Sequence, residues 1–188
     1  TINVLSGSLN YTGLQVSNGN RVAIPGSNGT VPRDVNRNAG LSATNSVVYY
    51  SFLLNIVDNT QLGATHGTNG YFFHFATASG ASAGSFFGRV SARTSGAGFR
   101  VGIADFGNTY TDWGSDLTFG TTYLVVVKYD LAGIGVADIA TMWVNPASLG
   151  GAEPGGGITN SFTAGDVATN ISNTASVAIR NSSATPNA

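Results

Sequence analysis

Residues 47–57 read VVYYSFLLNIV, and the even positions Val48, Tyr50, Phe52, Leu54 and Ile56 form one unbroken apolar face while Ser51 and Asn55 fall on the other. A period of two marks a strand with one side in a core and the other toward water. The same alternation is read in SFFGRVSAR (85–93), with Phe86, Val90 and Ala92 facing one way and Phe87, Arg89, Ser91 and Arg93 the other. It continues in FRVGI (99–103), where Phe99, Val101 and Ile103 oppose Arg100, and the Ser95–Gly98 link makes a hairpin of the two. TYLVVVKYD (122–130) is apolar on both faces apart from Thr122 and Lys128, which predicts a central strand. DIATMWVN (138–145) and ASVAIR (175–180) add two more, with Trp143 read as packing. Shorter strands are expected at INVL (2–5), RVAI (21–24), YFFHFA (71–76) and around Phe162, and Asn18-Gly19, Asn28-Gly29 and Asn69-Gly70 supply left-handed turn chemistry between runs.

Helix signals are nearly absent, because the chain has one Glu, one Lys and one Met while its 26 glycines interrupt every long window. Roughly ten to twelve short strands without crossover helices point to an all-β, antiparallel two-sheet β-sandwich. A length of 188 residues is that of one domain, with residues 1–45 as its N-terminal strands and loops. Charged residues make up only 9% and the formal net charge is -1. Nucleic acid, which needs clustered Lys and Arg against its phosphates, is therefore not an expected partner. No apolar run is long enough for a transmembrane helix. The absence of cysteine excludes disulfides, thiolate catalysis and cysteine-based metal sites. The Gly-, Ser-, Thr- and Asn-rich composition is read as that of a secreted, cell-surface chain, and a start at Thr1 fits either a shortened chain or a mature one whose leader has been removed.

The succession YYSFLLNI, FFGRVSARTSGAGFRVGIA, FGTTYLVVVKYDLA, ATMWVNPASLGGAEP and NTASVAIRN, from about Ser46 to Asn181, resembles the concanavalin A-like, laminin-G-like jelly-roll domains of secreted bacterial surface proteins. TYLVVVKYD followed by WVNP is its most specific part. The resemblance implies two curved sheets, an extracellular address and glycan or protein ligands held by loops at one edge. It implies no activity, since this superfold hosts lectins, hydrolases and spacers alike. Domains of this type continue past the strand equivalent to ASVAIR into a closing strand, whereas here only NSSATPNA remains, so one strand position is expected to be vacant.

Glycoside hydrolysis needs two carboxylates across the scissile bond, and Glu153, the only Glu, lies in the loop GGAEPGGG. Gly80-Ala81-Ser82-Ala83-Gly84 spells a nucleophile elbow, but a strand and not a helix follows it. His66 and His74 are read as surface or core-edge residues without an obvious partner. The densest polar cluster is DFGNTYTDWGSD (105–116). Its Asp105, Asp112 and Asp116 are candidate ligands for calcium, a hard cation that takes oxygen donors, and its Asn108, Tyr110, Asp112 and Trp113 are candidate contacts to a glycan. The competing reading is a hairpin loop whose Asp and Asn side chains cap their own turn. Sequons occur at Asn10, Asn28, Asn170 and Asn181.

These readings lead to a non-enzymatic structural or adhesive surface protein that associates with copies of itself. Low charge reduces repulsion between copies, and Ile2, Asn3, Val4 and Leu5 would fill the vacant strand position of a neighbour in a fibre or surface layer. The alternative is a lectin-like module that binds polysaccharide through the 105–116 loop.

Overall fold

A computed structural model describes residues 2–25, 33–43, 46–67, 70–131, 136–161 and 174–181. Among these, the strands are β1 (Asn3–Ser6), β2 (Asn20–Ala23), β3 (Arg33–Ala43), β4 (Val47–Asn55), β5 (Phe73–Ala76), β6 (Phe86–Ser95), β7 (Gly98–Ala104), β8 (Thr111–Asp112), β9 (Thr122–Asp130), β10 (Ile139–Val144), β11 (Ile158–Ser161) and β12 (Thr174–Asn181). They form a four-stranded sheet β11-β10-β9-β4, a six-stranded sheet β3-β12-β5-β6-β7-β8 and a separate β1-β2 pair, all antiparallel. The expected all-β, two-sheet jelly-roll sandwich is what the chain forms. No helix among the described residues is long and apolar enough to cross a membrane.

The period-two readings explain the core. Val48, Tyr50, Leu54 and Ile56 of the four-stranded sheet side are buried, and β9 is central between β10 and β4 with Val125, Val127 and Tyr129 fully covered. They meet Phe75, Phe87, Val90, Phe99, Val101 and Ile103 of the other sheet. Tyr129 lies 4.7 Å from Phe87 and Tyr50 lies 4.6 Å from Phe75, ring centre to ring centre. Interlocking rings of this kind supply both apolar area and directional contacts.

One face assignment is corrected. Phe73 pairs with Val90 but Phe75 pairs with Phe87, so β6 carries one more residue than β5 over this stretch. The extra residue is accommodated at Gly88, in the left-handed region at φ +54°. This β-bulge inverts the alternation N-terminal to it: Phe87 joins Val90 and Ala92 in the core, and Phe86 turns outward with Arg89, Ser91 and Arg93.

The vacant strand position is corrected as well. β12, which contains ASVAIR, is hydrogen-bonded on both sides, to β3 and to β5. The filling strand is RDVNRNAGLSA, within the 1–45 region of N-terminal strands and loops, and its residues form no continuous apolar face. Asn3, Val4 and Leu5 of the expected donor strand pair instead with Ala23, Val22 and Arg21 of β2 in the same chain. Gly80–Ser82 forms one 3-10 turn ahead of β6, which is not a strand-to-helix elbow. The Asn28-Gly29 turn, Asn69, Phe162 and the Asn28 and Asn170 sequons lie outside the described residues.

Candidate functional site

The outer face of the six-stranded sheet holds the polar chemistry. Ser91 of β6 pairs across to Gly102 of β7, and Gly102 pairs to Asp112 of β8, so the three form a row on that face. A segment preceding β5 crosses the row and is tied down at intervals. Thr94 N–H donates to the Gly63 carbonyl at 2.8 Å, and Ser91 Oγ–H is shared between the carbonyls of His66 and Gly70, each at 3.2 Å. The crossing lays the imidazole of His66 directly over Gly102. A methyl group at Gly102 would come within 2.7 Å of that ring and 3.2 Å of Tyr110 Cβ, so glycine is required here for close approach.

His66 Nε2 lies 2.6 Å from Asp112 Oδ1, and Arg93 reaches Asp112 Oδ2 with Nε at 2.9 Å and Nη2 at 2.5 Å. Burial lowers the His66 pKa, against the opposing pull of Asp112, so the ring is neutral at physiological pH. Burial by itself would raise the Asp112 pKa, but hydrogen bonds from Arg93 and His66 together hold it below the usual carboxylate range. A neutral imidazole beside an acceptor-only carboxylate must donate from Nε2, which leaves Nδ1 with its lone pair. That Nδ1 is buried and has no hydrogen-bond partner among the described residues. Tyr110 stacks on the same ring at 4.5 Å, and its hydroxyl is likewise buried without a partner of good geometry. Burial pushes the Tyr110 pKa well up, so it remains a phenol. His66, Arg93, Asn108 and Tyr110 line a cleft of about 390 Å³.

Beside the cleft lies a second polar group on the same face. Tyr71 is held between two guanidinium groups, Arg89 at 4.7 Å and Arg180 at 4.8 Å from its ring centre. Arg180 pairs with Asp34 at 3.0 Å, whereas the hydrogen bonds of Arg89 go to the neutral carbonyls of Phe86 and Gly107. His74 is fully buried against Tyr71 and Phe86, with Nδ1 bonded to the Phe75 carbonyl at 3.0 Å. Burial pushes its pKa down to about 3. Because the folded value is depressed, the unfolded chain takes up this proton first as pH falls below about 6.5, and His74 costs stability progressively from there to about pH 3. His74→Gln should therefore flatten the stability profile between pH 6 and 4 by up to about 1.4 kcal/mol per pH unit, one proton's worth. Denaturant melts of both proteins across that window measure the difference, and parallel profiles would contradict it.

The candidate residues in the 105–116 segment separate. Asn108 and Tyr110 line the cleft, and Asp112 sits behind it as the anchor of His66 and Arg93. Trp113 packs against the hydrophobic core and is not an open stacking platform. Asp105 is buried, accepting from Tyr129 Oη at 2.5 Å, while Asp116 accepts from Arg100 and Ser95. The structure does not bring Asp105, Asp112 and Asp116 together, and no group of three or more acidic or histidine residues stands ready for a metal among the described residues. Glu153 is not simply solvated: it accepts from Tyr49 Oη at 2.8 Å and from Lys128 Nζ at 3.1 Å.

Sequence reasoning missed His66, Arg89 and Arg93 as site residues. The available signal was Arg89, Ser91 and Arg93 alternating on one strand face in a chain with only seven arginines.

Fold and cleft together define a jelly-roll β-sandwich with a His, Tyr and Arg cluster on the outer face of its larger sheet. No family model matches the chain and no curated protein matches it. Among solved structures it is similar to the crystal structure of endo-β-1,4-glucuronan lyase from the fungus Trichoderma reesei, at 11% identity and a TM-score of 0.49, over 96% of this chain and 74% of that one. Two expectations are corrected here. The matched structure is an enzyme, against the reading of a non-enzyme. Association by strand addition loses its premise, because the position beside β12 is filled from within the chain and the intended donor is paired with β2.

Proposed function

We propose that this chain acts on an acidic polysaccharide at the His66 cleft, cleaving a 4-linked uronate by β-elimination. One observation carries the reading: a neutral imidazole whose lone pair has no partner among the described residues and an un-ionised phenol beside Ser91 are stacked side by side next to a guanidinium. His66 Nδ1 and Tyr110 Oη are both buried in the free chain, so the reading requires that substrate binding turns them to the cleft. His66 Nδ1 then takes the proton from the carbon next to the uronate carboxyl, the C–H electrons form the C4–C5 double bond, and the C4–O bond breaks. Tyr110 Oη–H gives its proton to the departing oxygen. Arg93 and Asn108 hold the carboxylate, and Arg89 adds positive charge nearby; a carboxyl group held this way makes the neighbouring C–H acidic. Asp112 fixes the His66 tautomer. Hydrolysis fits less well, since the carboxylate at the cleft, Asp112, is engaged by Arg93 and His66.

The finer assignments accompany this reading. The sandwich is of the concanavalin A-like, laminin-G-like type, residues 1–188 work as one domain, and the chain meets its substrate outside the cell.

The test is incubation of the full chain with polyglucuronate, with and without calcium, following the ultraviolet absorbance of newly formed unsaturated uronate ends. Absorbance growing with polyglucuronate and not with a neutral glucan is expected. Binding without unsaturated ends would replace cleavage by the lectin-like alternative, and absence of both binding and cleavage would overturn the carbohydrate reading.

A further inference from the structure

A second cavity, of about 710 Å³, lies away from the His66 cleft and shares no residue with it. It is the space between the β1-β2 pair and the rim of the sandwich. Leu5 and Arg21, paired across β1-β2 and so on one face of it, contribute with Ile24 from the N-terminal side, and Phe52, Leu54 and Phe73 from the sandwich. Phe52 and Phe73 stack face to face at 4.3 Å with 4° between planes, forming a flat apolar wall. A volume of this size falls within the range of small-molecule sites, about 300–1,000 Å³, and its lining is mostly apolar, with Ser8, Ser17, Asn20 and Asn55 as neutral polar members.

The polar part of the lining identifies the ligand class. Among the described residues, Arg21 is the single charged one in it. Its Nη1 donates to the carbonyls of Ser6 at 2.7 Å and Gly7 at 3.2 Å, which pins the guanidinium without cancelling its charge. One fixed cation beside an apolar chamber complements one anion on an apolar body. We propose that this cavity binds a long-chain monocarboxylate, with the hydrocarbon chain against Phe52, Leu54 and Phe73 and the carboxylate on Arg21. The β1-β2 pair is then the cover of a ligand site, and its exposed Leu5 acquires a partner.

The inference is independent of the polysaccharide reading and is tested by binding alone. The full chain is titrated with dodecanoate below its micelle-forming concentration, using acetate and dodecanol as comparisons, and followed by thermal melting and calorimetry. Dodecanoate is expected to raise the melting temperature by several degrees while acetate leaves it unchanged. Arg21→Gln should weaken dodecanoate about tenfold or more and leave dodecanol unaffected. Leu5→Trp, which fills the chamber from the cover side, on the face that Leu5 shares with Arg21, should abolish binding of both while the circular dichroism spectrum stays native. Equal effects of dodecanoate and acetate, or dodecanoate affinity unchanged in Arg21→Gln or in Leu5→Trp, would overturn the proposal.

Discussion

His66→Ala is expected to lower the rate of uronate elimination by about 10²- to 10⁴-fold, the usual contribution of a positioned acid or base, with the fold retained. The substitution removes the one unpartnered imidazole nitrogen in the cleft, and Asp112 keeps its two hydrogen bonds from Arg93. Tyr110→Phe should cost a similar factor, because the ring that stacks on His66 remains while the proton donor is lost. The pH profile separates chemistry from packing. His66 works as a base only when neutral, and burial lowers its pKa, so the acid limb of kcat/KM should lie below the ordinary histidine value of about 6.5. The raised Tyr110 pKa places the alkaline limb far above neutrality. Asp112→Asn removes the carboxylate that opposes burial and should shift the acid limb further down. A profile that does not respond to Asp112→Asn, or full activity in His66→Ala, would remove His66 from the mechanism.

The second large effect is structural. Gly98→Ala is expected to destabilise the chain by about 3 kcal/mol or more, lowering the melting temperature by about 10 °C. A Cβ at Gly98 would run into the Leu117 carbonyl, and that collision is with backbone, so no side chain can swing away. Leu117 exchanges two backbone hydrogen bonds with Phe99, at 2.9 and 2.7 Å, and pushing it outward weakens both while opening the packing around the fully buried Phe99 ring. Gly114→Ala is the comparison, since nothing lies within 4 Å of a Cβ there. Urea melts that show equal stability for the two variants would contradict the argument.

Several elements were legible because local pattern and final environment agree. β4 carries its burial in its own alternation, β9 its central place in being apolar on both faces, and the Ser95–Gly98 link closes a hairpin whatever surrounds it. β3 was not legible. It is an edge strand whose Val35 is 57% exposed, and a strand without an apolar face is held by β12's hydrogen-bonding groups, which leave no mark in its own residues.

The site shows the same division. Asn108, Tyr110 and Asp112 stood out as a polar and aromatic cluster in one stretch, and two of them line the cleft. Trp113, equally prominent in sequence, packs on the core instead. His66 lies 46 residues from Asp112 and reaches it only because the segment before β5 crosses the sheet over the bare Cα of Gly102. The sequence by itself determined the all-β class and the central strands, since strand periodicity and composition are local or summed properties. Which of Phe86 and Phe87 enters the core, what fills the place beside β12, and the meeting of His66, Arg93, Tyr110 and Asp112 were decided by the tertiary structure, through a one-residue bulge and a crossing segment whose energies lie in contacts between residues far apart along the chain.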